Sequence, residues 1–361
     1  MAIEFQKTVN QDNLLFAFNN NIIRFNSTEP DPINAEIIGF GFPIVLYPHP
    51  NGSFYFNFKE YSSVLVNNNN FADDLVYVPA TFLYDWTNRV YFPTEIEVKI
   101  NFADDEFETT TIDAKFFSAY TQIDLIDFIE TDKFKVLSPS TKFKFWKGYP
   151  FDITTFNTTD PENIEIYNIK AETGIQVATD YIVSRILVSD GVSVQSVFDE
   201  PGEVQYSLVE LERGVPFSIE TIQPNCHYDV YLKWINRFGG WNYWLFRRAR
   251  KPLTTKAIGE LNNDFNDVED TISQSISMGV TSKASLLVKE VVQKDQMPMF
   301  TDLAESAKIY LFKGNPNTLS TPQDWIEVTV KDRTIEIQDA KRNFNTINFE
   351  IELPTRTTRT V

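Results

Sequence analysis

The chain has 361 residues, a formal net charge of −18, 42% hydrophobic residues and 14% aromatic ones. Such a length allows two or three domains with real cores. The charge argues against nucleic acid or an anionic membrane surface as the main partner, because both need clustered Lys and Arg. The single cysteine, Cys226, excludes an internal disulfide and a multi-cysteine zinc site, and His49 and His227 are too few for an ordinary His-based metal site or relay.

Residues 1–133 read as an N-terminal β-sandwich of short strands between polar turns. Leu14–Phe18 and Ile22–Asn26 flank an Asn turn, and Asn51-Gly52 is a hairpin signal. Ser53–Phe58 alternates, with Phe54, Phe56 and Phe58 on one face. Asn67–Asn70 reads as an exposed loop. Thr94–Phe102 is the clearest strand, with Ile96, Val98, Ile100 and Phe102 inward and charges outward. Between 101 and 132 lie nine acids and one base, Lys115. They read as a solvated face plus a loop. A calcium site there would need an alternating ligand loop with a central Gly, which the stretch lacks.

Residues 134–252 read as an immunoglobulin- or fibronectin-like β-sandwich of about seven strands. It starts near Ser138-Pro139-Ser140, carries a hairpin dipeptide at Asp190-Gly191, and closes with an aromatic hairpin from Tyr228 to Phe246 turning at Gly239-Gly240. On its first strand Trp234 and Leu232 share one face, and Tyr231, Lys233 and Ile235 the other. Trp234 is expected in the core. Residues 253–361 read as a small α+β closing domain. Ile258, Leu261, Phe265, Val268, Ile272 and Ile276 fall at a helical spacing, Thr271–Met278 also alternates as a strand would, and the many Asn, Asp, Thr and Ser residues tilt the reading to loop plus strand. Ala284–Val292 is an expected strand, Asp295–Ser306 a short helix with Pro298 in its first turn, and Lys308–Phe312, Ile326–Val330, Thr334–Ile337 and Ile347–Leu353 a closing sheet. The expected fold is therefore mainly β: tandem immunoglobulin-like β-sandwiches with a small α+β C-terminal domain.

No nucleophile elbow, phosphate-binding Gly loop, dinucleotide fingerprint or zinc-protease helix occurs in the sequence. Cys226 beside His227 does not read as a thiol pair, because neighbours in a strand point to opposite faces. The expectation is a non-enzyme with no catalytic, cofactor or metal residues. The N-terminus lacks the basic start and apolar run of a signal peptide, and no stretch approaches the ~18 apolar residues of a membrane helix. Arg247, Arg248, Arg250 and Lys251 form the one basic cluster, suited to an acidic patch on a neighbouring copy. With Trp241, Tyr243 and Trp244 they make the candidate interface.

Two motifs carry a resemblance. Tyr231–Phe246, reading YLKWINRFGGWNYWLF, and Phe145–Asp152, reading FWKGYPFD, resemble hairpin and strand motifs of tail and baseplate-region virion proteins of bacteriophages and prophages of Bacteroidetes hosts. Leu303–Leu311, Trp325–Val328 and Asn348–Pro354 are similar to closing domains of distal-tail-like components. The resemblance covers about residues 140–354. It implies a multi-copy structural protein of the virion, made in the bacterial cytoplasm, whose partners are further copies of itself and other virion proteins. The alternative is a receptor- or carbohydrate-binding module of the tail, which would hold host-surface glycan on exposed aromatic rings.

Overall fold

Strict alternation makes Tyr91–Asn101 an amphipathic strand: Ile96, Val98 and Ile100 are fully buried, while Glu95, Glu97 and Lys99 face outward. It pairs along its whole length with Phe107–Phe117 and on its other side with Asn34–Ile38. The computed structural model describes residues 3–9, 14–67, 70–78, 80–103, 106–120, 134–157, 164–176, 181–210, 213–224, 228–262, 275–331 and 344–357. Among these the protein is mainly β, arranged as tandem β-sandwiches followed by a closing β unit that carries a helix.

In the first unit, the five-stranded sheet Leu15–Phe16, Phe107–Phe117, Tyr91–Asn101, Asn34–Ile38, Ile44–Leu46 faces the three-stranded sheet Ile3–Lys7, Ile22–Ser27, Phe54–Asn57. Phe25, Phe54, Phe58 and Phe116 fill the space between them. Phe54, Phe56 and Phe58 are all buried, as their spacing predicts. The helix Lys59–Val66 follows directly and had no clear signal, since Ser and β-branched Val are weak helix formers. The hydroxyl of its buried Ser62 donates to the Ala17 carbonyl at 2.8 Å and so ties the helix to the sandwich.

The second unit sets Phe134–Val136, Pro150–Asn157, Val183–Asp190 and Leu83–Asp85 against Lys142–Trp146, Arg213–Ile222, Gly202–Glu210, Ile164–Asn168 and Thr173–Gln176. Its fourth strand, Leu83–Asp85, comes from the segment before residue 133, so the pairing crosses the expected division there.

The aromatic hairpin, Tyr228–Ile235 and Trp241–Arg250, also crosses a division. It lies before residue 252 but pairs with Ile309–Phe312 on one side and Val280–Gln293 on the other. The reason is that both faces of the hairpin are apolar. A two-residue period locates such a strand without saying which sheet it joins. The sheet then closes on itself. Trp325–Glu327 pairs with Ile309–Phe312, and Thr329–Lys331, one residue further on, pairs with Phe344–Glu352 at the opposite end of the strand order. The helix Met297–Glu305 forms at the expected place, Pro298 in its first turn, and sets Phe300 against Trp234, Trp244 and Phe246. Glu260–Asn262 and Ser275–Ser277 are strands within the stretch expected as loop plus strand, and Leu253–Ala257 is a strand just before it; residues 263–274 lie outside the described residues. The expected strand Thr334–Ile337 does too.

Candidate functional site

Four buried charges lie where the second and third units meet the segment that leaves the first. Arg185 and Asp152 sit on neighbouring strands of the second unit, with Arg185 opposite Thr154 and therefore on the face of Asp152. Asp73 comes from the segment 71–78 that leaves the first unit, and Lys233 from the hairpin of the third. Side-chain exposure is 0% for Arg185, 1% for Asp152, 3% for Asp73 and 4% for Lys233, so all four are out of water.

The hydrogen bonding is dense. Arg185 donates from Nε to Asp152 Oδ1 at 3.1 Å, from Nη2 to Asp152 Oδ2 at 2.5 Å, and from Nη1 to Asp73 Oδ1 at 2.6 Å. Lys233 Nζ donates to Asp73 Oδ2 at 2.5 Å. The hydroxyls of Tyr77 and Tyr243 donate to Asp152 Oδ2 at 3.1 and 2.7 Å. Rings enclose the cations: Trp86 under Arg185 at 4.7 Å, and Trp325, Tyr310 and Trp241 around Lys233 at 4.1, 5.3 and 5.4 Å.

Two acids and two bases cancel, which makes the burial tolerable. Burial alone would push the Asp73 carboxyl up, but Arg185 and Lys233 outweigh it and hold the group well below the usual carboxylate range. Burial pushes the Lys233 ammonium down, against the pull of Asp73. Burial, aided by Asp152, pushes the Tyr77 and Tyr243 hydroxyls far up, so both remain donors. Sequence reading placed Lys233 on the correct face and missed the rest. A signal was there: Arg185 interrupts Tyr181–Val188, and Asp152 interrupts Pro150–Phe156, stretches otherwise without charge.

Beside this cluster the Gly-Gly turn is wedged between the units. Gly239 has φ +79°, and a Cβ on Gly240 would lie 2.2 Å from the Leu137 carbonyl oxygen, so neither position admits a side chain. Asn236 holds the turn: its Oδ1 accepts from the amides of Phe238 and Gly240, and its Nδ2 donates to the Leu137 carbonyl at 2.8 Å. Arg237 Nε donates to Asp302 Oδ1 on the helix Met297–Glu305 at 2.5 Å. Burial pushes the Asp302 carboxyl up to about 6, against the pull of Arg237. A cavity of about 240 Å³ opens nearby, lined in part by Phe18, Phe71, Tyr120, Ile235, Arg237 and Glu305.

The candidate interface splits. Trp241, Tyr243 and Trp244 are covered within the chain, at 2–3% exposure, because rings of the second sandwich and of the closing unit pack against both faces of the hairpin. They are core residues rather than surface. Trp146 lies 5.2 Å from Trp244, Tyr149 4.6 Å from Tyr231 and Phe151 5.3 Å from Tyr243, measured between ring centroids. Arg247, Arg248, Arg250 and Lys251 are exposed, at the far end of the hairpin. Trp234 is fully buried, with its indole N–H donating to the Met299 carbonyl at 3.2 Å. Of the acids between 101 and 132, Glu108 is buried, Glu106 and Asp113 are exposed, and Asp104, Asp105, Asp124, Asp127, Glu130 and Asp132 lie outside the described residues, as do Cys226 and His227. Among the described residues no group of three or more His, Cys, Asp or Glu is placed to hold a metal ion.

Neither a protein-family model nor a curated protein matches the sequence. Among solved structures, a stretch of titin domains is 10% identical, with 80% of this chain and 93% of that chain covered and a TM-score of 0.29. Fibronectin(III)-like modules of CbhA from Clostridium thermocellum are 8% identical, over 62% of this chain and 94% of that one, with a TM-score of 0.20. A tetra-tandem repeat from the extending region of a large adhesion protein is 10% identical, over 99% of this chain and 90% of that one, with a TM-score of 0.24.

Proposed function

We propose that the chain is a non-catalytic structural subunit whose work is to hold three β units rigidly within a multi-copy assembly, the tail or baseplate region of a bacteriophage. One observation carries this reading. The two motifs that resemble virion proteins, Phe145–Asp152 and Tyr231–Phe246, pack on each other through Trp146–Trp244, Tyr149–Tyr231 and Phe151–Tyr243, and supply Asp152 and Lys233 to the charge cluster. The sequence features that define the resemblance are thus the features that join the units. A distal-tail-like component needs such a joint, because its domains must keep fixed angles while neighbouring copies dock on them.

The alternative glycan-binding reading asked for open rings on the hairpin, and those rings are covered. Docking falls to the exposed cluster Arg247, Arg248, Arg250 and Lys251 meeting an acidic patch of a neighbour. The test is electron microscopy and light scattering of the purified chain across concentration. The proposal expects ring-like or layered oligomers of defined symmetry. A chain that stays monomeric at all concentrations, and binds surface polysaccharide of a bacterial host instead, overturns it.

A further inference from the structure

We propose that Lys233 and Asp73 condense with each other to form an isopeptide bond that clasps the segment leaving the first unit covalently to the third unit. The contact is already that of reactants. Lys233 Nζ and Asp73 Oδ2 are 2.5 Å apart, both side chains are at least nineteen-twentieths buried, and three rings close over the amine. The pair is fixed from both ends. Lys233 is mid-strand between Tyr310 and Tyr243, and Asp73 is anchored through its other carboxylate oxygen by Arg185 Nη1 at 2.6 Å. Holding two groups in register replaces a bimolecular encounter by an effective concentration on the order of 10⁵ M or more.

The step balances without any further reagent. A proton passes from Nζ to Oδ2 along the existing hydrogen bond, turning ammonium and carboxylate into amine and acid. The amine lone pair attacks Cγ of Asp73, forming the N–C bond. Charge that develops on Oδ1 is met by the Arg185 guanidinium, which already donates to that atom. The Cγ–Oδ2 bond then breaks, and the hydroxyl leaves with a second amine proton as water.

The surroundings favour the product. Condensation removes one cation and one anion from a dry interior and leaves Arg185 and Asp152 as a balanced pair, joined by two hydrogen bonds. Burial, which pushes the Lys233 amine toward its neutral form, works in the same direction. Ion pairing to Arg185 opposes by keeping Asp73 ionised, so the reaction is slow and follows folding rather than accompanying it. The bond would close a loop of 160 residues in a chain without a disulfide-forming pair of cysteines.

Intact-mass spectrometry of the full chain, incubated folded and then denatured, tests this. The expected species is one water lighter than the sequence mass, and proteolysis yields a branched peptide joining the segment with Asp73 to the segment with Lys233. In Asp73→Asn the same geometry releases ammonia instead of water, while Lys233→Arg keeps the full mass. The wild-type mass is decisive even where a variant fails to fold. A full sequence mass after prolonged incubation, with Asp73 and Lys233 in separate linear peptides, overturns the proposal, and so does a water loss mapped elsewhere. Either result leaves the structural-subunit reading to its own test.

Discussion

The N-terminal sandwich and the junction of the three units are both packed with aromatic rings, yet they are held in different ways. In the sandwich, Phe25 stacks on Phe54 at 5.3 Å and Phe58 lies 6.0 Å from Phe116, with hydrocarbon on every side. At the junction, equally large rings surround Arg185, Lys233, Asp73 and Asp152. An apolar core is non-directional and tolerates repacking. A buried charge cluster works only in one arrangement, because a misplaced partner leaves an ion unpaired in a dry interior. The sandwich thus gains stability from its core, and the junction gains a fixed relative placement of units.

The sharpest way to break that contrast is to remove one charge. Arg185→Ala leaves Asp152 without its counter-ion and is expected to cost roughly 3–5 kcal/mol, read as a fall in the denaturant midpoint. Phe54→Ala in the sandwich is expected to cost a similar ~3–5 kcal/mol through its cavity, but its effect should stay within the first unit. Hydrogen exchange separates the two: Arg185→Ala should loosen strands of all three units, Phe54→Ala only those of the sandwich. Equal and local effects for both variants would erase the distinction.

Asp302 gives a smaller, pH-dependent test. Burial raises its folded pKa to about 6, above the ordinary value of 3.8. A raised carboxyl contributes stability that is fully present below the unfolded pKa and lost as pH rises through the folded one. From about pH 4 to about pH 7 the wild type should therefore lose up to about 3 kcal/mol from this group. Asp302→Asn, which has no proton to lose, should lack that slope. Parallel stability–pH curves for the two proteins would contradict the assignment.

How much of this was legible follows from the same contrast. Strands with one wet face announce themselves, as Ile96, Val98 and Ile100 did, and Phe54, Phe56 and Phe58. The helix with Pro298 in its first turn carried its own start signal. Strands buried on both faces carry no such alternation, so the hairpin's membership in the closing sheet was not readable, nor was the crossing of Leu83–Asp85 to the second unit. Asp73 sits in an irregular segment where an acid draws no notice, and its partners lie 112 and 160 residues away. Trp241, Tyr243 and Trp244 stand in the sequence as either core or interface for the same reason: sequence shows that rings are dense, not what covers them.

The smallest expected effect is at the exposed end of the hairpin. Reversing Arg247, Arg248 and Arg250 to Glu should leave the circular dichroism and melting temperature of the isolated subunit unchanged, since exposed ion pairs are worth little and are screened by salt. Assembly should weaken or slow, with the largest difference at low salt. Normal assembly with all three reversed would remove this cluster from the contact between copies.

Through the buried cluster and the Gly-Gly turn the three β units should unfold as one cooperative body. Differential scanning calorimetry of the wild-type chain tests it most directly. The account expects a single transition whose calorimetric and van't Hoff enthalpies agree. Two or more resolved transitions in the wild type, each with the enthalpy of one unit, would contradict it.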